Sequence, residues 1–291
     1  MTTPATPPHP QPPLEPSPQP QQGWGGPAGS YASPIPVRSP GLGDAIASEW
    51  TKIRSVRSTM WTLGVMVVLL FAVGLLTAFA VSAADADLED TPVLSLGFFG
   101  VLLGSICVIT LGVLTIASEY GTGMIRTTLT ACPSRARVLI AKSVVFFLLS
   151  FTITAVTTGI VALLQTAMLG GATPTGGDWL RATVGVALYV ATLGLLSLAL
   201  GALIRHSAGA ITIMIALVLL PLVLAMFMFS PTLSGLQEAL FEYSIPSQIG
   251  AFYNASVTVS GPSGWEPLWI IIGMTAVAML GAFASLDRRD V

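Results

Sequence analysis

Apolar residues run unbroken through six stretches of this chain, approximately 60–82, 93–117, 143–164, 182–204, 210–229 and 268–286. None of the six contains Asp, Glu, Lys, Arg or His. A helix rises about 1.5 Å per residue, so roughly 20 apolar residues cross about 30 Å of hydrocarbon. Each run is long enough, and the pattern predicts six membrane-spanning helices. Gly, Ala, Ser and Thr recur within them, as in helices that approach closely in lipid. Pro221 is expected to kink the fifth span, with neighbours satisfying the carbonyl it frees.

Two further stretches alternate at helical spacing without being apolar throughout. Before the first span, Leu42, Ile46, Trp50 and Ile53 form a stripe, interrupted by Glu49, while Asp44, Ser48, Thr51, Lys52 and Ser55 lie away from it. Trp50 beside Lys52, Arg54 and Arg57 fits an interfacial helix over residues 41–58, anchored at headgroup level. In the long connection 230–267, Leu233, Leu236, Leu240 and Tyr243 recur with Gln237, Glu238 and Glu242 between them. That spacing predicts a short amphipathic helix on the far face of the membrane.

Composition strengthens the membrane reading. Hydrophobic residues make up 53% of the chain, charged residues 9%, and mean hydropathy is +0.80. Soluble domains carry about 25% charged residues. Thirteen of the 21 prolines fall within the first forty residues. Such a Pro/Gln-rich segment, 1–40, builds no core and reads as a disordered tail, with no signal peptide expected. Charge then sets orientation. With six spans both termini share a side, and eleven of the twelve Lys and Arg residues fall there, Arg181 alone opposite. The positive-inside rule places both termini in the cytoplasm of a cell-membrane protein and residues 59–287 in a six-helix domain. The first outer loop is acidic, with Asp85, Asp87, Glu89 and Asp90.

Catalytic chemistry lacks its residues. His9 falls in the tail and His206 in a short loop, so no paired-histidine zinc site is expected, and Cys107 and Cys132 make neither a metal site nor an expected disulfide. Gly41-Leu42-Gly43-Asp44 has the lettering of intramembrane aspartyl proteases, but no span supplies a second Asp. Neither Lys52 nor Lys142 follows a glycine-rich loop, so no nucleotide site, catalytic residue, metal or cofactor is expected in this chain. A net charge of −2 gives no sign of a nucleic-acid partner. Ion-coupled carriers place ionisable groups at membrane depth. Spans without them imply that energy for uphill transport comes from another polypeptide.

The most specific segment is the loop after the second span, Ser118-Glu119-Tyr120-Gly121-Thr122-Gly123-Met124-Ile125-Arg126-Thr127-Thr128-Leu129-Thr130-Ala131-Cys132-Pro133-Ser134-Arg135, with Lys142 opening the third span. Glycines permit a tight turn, and a short helix presented on it suits a groove on a partner; the same residues also read as an ordinary basic loop obeying the positive-inside rule. The stretch resembles the corresponding loop of ABC-2 type permeases: a glutamate, a glycine-methionine element, an arginine, Thr-Leu, then Pro-x-Arg and a lysine. Glu119, Gly123, Arg126, Pro133, Arg135 and Lys142 match that motif, and Gly121 stands where many members carry a larger or polar residue. The segment Ser48 to Ser58 looks like its counterpart in actinobacterial members. The resemblance runs from about Asp44 to the C-terminus. It implies an all-α, polytopic ABC-2 (type V exporter-like) architecture and a permease subunit, paired with a second copy or homologue. It further implies a separate cytoplasmic ATPase that binds the ATP and touches a coupling helix within residues 118–142. A secondary transporter driven by an ion gradient, or a non-transporting anchor or sensor subunit, are the alternatives.

Overall fold

A computed structural model describes residues 41–84, 92–132, 134–170, 173–255 and 260–288, without the side chains of the last two. The proline-rich tail, the acidic loop 85–91 and Pro133 lie outside the described residues. The six apolar runs are all helices long and apolar enough to cross a membrane: Arg57–Ala83, Val93–Thr122, Arg135–Met168, Gly176–Ile204, Ser207–Phe227 and Glu266–Leu286. No strand occurs among the described residues. The protein is a multi-pass membrane protein of the all-α class.

In chain order, α1 (Leu42–Ser55) leads to α2 (Arg57–Ala83), the first span. Asp44 accepts from the Gly41 amide at 2.8 Å at the start of α1, and Lys52 and Arg54 complement the helix dipole at its end. Val56, in extended conformation, separates the two helices. A 3-10 turn (Val93–Gly97) opens α3 (Phe98–Thr122), which α4 (Met124–Ala131) follows directly. Next come α5 (Arg135–Met168), the short α6 (Gly176–Leu180), a π-helical turn (Arg181–Gly185), α7 (Val186–Ile204) and α8 (Ser207–Phe227). The chain closes with α9 (Ser234–Glu242), α10 (Ile245–Ala251) and α11 (Glu266–Arg288). α8 continues unbroken through Pro221.

The bundle is built around α7, which packs on α3, α5, α8 and α11. Of its span's most apolar stretch 72% is buried inside the protein, against 17% for α11. Glycines permit this. A Cβ on Gly112 of α3 would lie 2.5 Å from the Gly194 carbonyl oxygen of α7, and one on Gly194 would lie 2.6 Å from the Phe146 ring of α5. With no hydrophobic drive between helices in lipid, such close backbone approach is what packs them.

Two sequence expectations shift. The third span begins at Arg135, eight residues before the predicted start. At 34 residues α5 is about 50 Å long, more than about 30 Å of hydrocarbon requires. The described residues of the connection 230–267 hold two α-helices instead of one. α10 went unnoticed because Ile245, Pro246, Gln248 and Ile249 are buried together, which erases any amphipathic signal. Gln248 accepts from the Tyr189 hydroxyl of α7 at 3.2 Å. The apolar stripes of α1 and α9 keep mostly to the protein surface, with Ile53 of α1 buried. Leu42 and Trp50, like Leu236 of α9 and Tyr243 just beyond it, are exposed on the protein surface, while Glu49 and Glu242 are buried.

Candidate functional site: a buried ion cluster behind a short surface helix

At the end of the bundle where α3 finishes and α5 starts, four charged side chains converge from three helices. Glu49 and Lys52 come from α1, Glu119 from the last turn of α3, and Lys142 from the third turn of α5. Lys142 is 1% exposed, Glu49 4% and Glu119 6%. The Lys142 ammonium donates to Glu49 Oε2 at 2.7 Å and to Glu119 Oε1 at 2.8 Å. The Lys52 ammonium donates to Glu49 Oε1 at 2.7 Å, to Glu119 Oε1 at 3.1 Å and to Thr128 Oγ1 of α4 at 3.4 Å. All three Lys52 protons are therefore committed. Two carboxylates and two ammoniums balance, which lets the group leave water without a net buried charge.

Lys52 lies outside the spans, and its pKa shows the balance of forces. Burial alone would depress it. The hydrogen bond to Glu49, the nearby charges of Glu119 and Glu49, and the hydrogen bond to Glu119 outweigh that and raise it above 10.5. The ammonium form is held.

Lys52 also joins this cluster to α4. That helix starts at Gly123, whose φ of 74° lies in the left-handed region and whose single residue both ends α3 and begins α4. Glycine adopts this conformation without the Cβ clash other residues meet. α4 packs inward through Ile125, while Met124, Arg126, Thr127 and Thr130 are exposed. Ser134 caps α5, its hydroxyl accepting from the Arg137 amide at 3.4 Å.

The structure separates the residues singled out from sequence. Glu119 and Lys142 meet directly. Arg126 stands on the exposed face of α4. Arg135 instead reaches the end of α11, donating through Nη1 to the Leu286 carbonyl. Pro133 lies outside the described residues. Of the four residues read as a headgroup anchor, Trp50, Arg54 and Arg57 are exposed, but Lys52 turns inward. The reason is electrostatic: Glu49, one turn away, carries it toward Glu119. Lys142 is likewise no loop residue, since α5 has already made two turns before it.

Sequence reasoning missed Glu49 and Thr128. Glu49 was visible only as a flaw in an apolar stripe, and a carboxylate breaking a stripe one turn before a lysine was the available signal. Arg205 was also missed: its guanidinium lies 4.8 Å from the centre of the Tyr120 ring, next to Glu119. His206 caps α8, its Nδ1 accepting from the Gly209 amide at 3.0 Å. Both cysteines are free thiols, and no group of three or more metal-ligating side chains occurs among the described residues.

The structure is a bundle of six apolar helices, with α7 at its centre and the short helix α4 displayed at one end. Residues 45–232 match the family model described as ABC-2 family transporter protein, about two thirds of the chain. The chain belongs to this family, as a permease subunit. No curated protein matches it in sequence. The matched region covers the ion cluster, α4 and the first five spans, and ends before α9.

Proposed function

We propose that this chain is the membrane-spanning half of an ATP-driven exporter. It forms the translocation path with a second permease copy in the cell membrane, both termini in the cytoplasm. ATP is bound and hydrolysed by a separate cytoplasmic subunit docked on α4. The observation that carries this reading is α4 itself: an exposed eight-residue helix on a left-handed glycine, backed by a buried ion cluster shared with α1, α3 and α5. A groove on the partner takes such a helix, and the cluster gives it a stiff footing. The eleven-to-one distribution of Lys and Arg supports the cytoplasmic placement of that end. In this reading Arg126 meets the ATPase, Gly123 sets the angle of α4, and Glu119 and Lys142 transmit its movement to the spans. Pro133 and Arg135 hold the return into α5.

Arg126→Glu tests it. The side chain is exposed, so the spans insert as before. Breaking a desolvated interfacial charge pair costs about 2–5 kcal/mol, at least tens-fold in association. Co-purification of the ATPase and substrate-stimulated hydrolysis should fall by that factor at near-normal permease abundance, with Arg288→Glu as the unaffected control. Wild-type association of Arg126→Glu would remove the docking role of this residue.

A further inference from the structure

The ion cluster is flanked by two clefts. One, of about 340 Å³, lies between α1, α4 and α5. The other, of about 240 Å³, lies between α1, the first turns of α2 and the last turns of α3. Glu119 lines the second and not the first.

Three hydroxyls in the second cleft have already given up their protons. Thr62 donates to the Ser58 carbonyl, Thr115 to the Leu111 carbonyl and Ser118 to the Leu114 carbonyl, each one turn back along its own helix. A hydroxyl carries a single proton, so toward a ligand these three offer only lone pairs. Glu119 adds a stronger acceptor. Its Oε1 holds both lysines, whereas its Oε2 is buried with no hydrogen-bond partner. A carboxylate oxygen left this way is costly, and a donor that reaches it removes the cost. Lys52, at the same wall, has no proton left to give. The rest of the lining is the apolar Ile53, Val56, Leu111, Leu114 and Met124, the hydroxyls of Ser58 and Thr59, and Glu49 and Lys142 of the ion cluster, the latter bonded to Glu49 and Glu119.

We propose that this cleft binds a protonated amine carried on an apolar body. The ammonium bonds Glu119 Oε2 and the lone pairs of Thr115 and Ser118, and the body lies against Leu111, Leu114 and Ile53. Such a ligand takes the second oxygen of a carboxylate whose first holds Lys52, so two like charges share Glu119 and the hold on Lys52 weakens. Lys52 also holds Thr128, so occupancy of the cleft is felt at α4. That consequence rests on the proposed role of α4; the binding site does not, and it is measured on the chain without any partner.

The test uses the full chain in nanodiscs of phosphatidylcholine and phosphatidylglycerol, neither of which has a primary amine. The probe is dansylcadaverine, a fluorescent primary amine, compared with its N-acetylated, uncharged derivative. Saturable binding is expected, at least about tenfold weaker for the acetylated compound, a factor equivalent to about 1.4 kcal/mol. Glu119→Gln should weaken the amine similarly. Because that change also touches the ion cluster, Thr115→Val provides a second variant: it has the same shape, lies outside the cluster, and should weaken binding by about threefold or more. Displacement of the probe by added phosphatidylethanolamine would identify a lipid headgroup as the source of the amine, and no displacement a free amphiphile. Equal affinity for the amine and its acetylated form would overturn the site, as would wild-type affinity in both variants.

Discussion

Burying an ammonium is costly unless its charge and protons are answered, and Lys142 answers them with Glu49 and Glu119 from two other helices. Removing one partner of such a group leaves an uncompensated buried charge, at about 3–5 kcal/mol. Lys142→Met should therefore lower the stability of the purified protein by about that amount, read as a drop in its denaturation midpoint in detergent. Pairing it with Glu49→Gln restores neutrality, because Lys52 and Glu119 still balance, and the double variant should recover much of the loss. A Lys142→Met protein as stable as the wild type would mean that water reaches the cluster. Lys142 sits between Val138-Leu139-Ile140-Ala141 and the apolar run of the third span, but its local sequence does not say what answers its charge. Its burial depends on where α1 lies.

Among the helices, the meeting of α3 and α7 governs the packing. Gly112 and Gly194 face each other across it, closely enough that a side chain on either meets backbone or a ring. Gly112→Ala should cost about 1–3 kcal/mol, since the Gly194 carbonyl cannot move aside without shifting α7. Gly159 of α5 has nothing within 4 Å of its would-be Cβ, and Gly159→Ala should be neutral or slightly stabilising. Thermal unfolding of the two variants side by side separates packing from helix propensity. Equal midpoints would show that the contact is dispensable. The sequence signals that small residues are frequent in the spans, but not which of them touch. That requires the rotation of each helix about its axis.

At the scale of the molecule, charge asymmetry and helix number together determine topology. A reporter fused at Arg135 should remain cytoplasmic and one at Glu89 should be exported. An exported Arg135 would undo the six-span order and the docking role of α4 at once. The two amphipathic helices show how membrane surroundings invert the habit of soluble proteins. α1 and α9 turn carboxylates inward and leave Leu42, Trp50, Leu236 and, past the end of α9, Tyr243 on the outside. In lipid an exposed apolar side chain has a favourable solvent, whereas a carboxylate needs a partner that only the protein supplies.

Length and apolar runs were sufficient to determine that this chain is all-α, with six helices long and apolar enough to cross the membrane. Those features are local: a run of 20 apolar residues is a spanning helix whatever it packs against. The loop motif from Glu119 to Lys142 also carried the family. Only the tertiary structure decided that Glu49 faces inward, that Lys52 joins the ion cluster, and that α10 is buried against α8 and α3. Glu49 and Lys142 are 93 residues apart in sequence and 2.7 Å apart between their charged atoms. Such a pairing is set by how helices pack, and no periodicity within either helix encodes it.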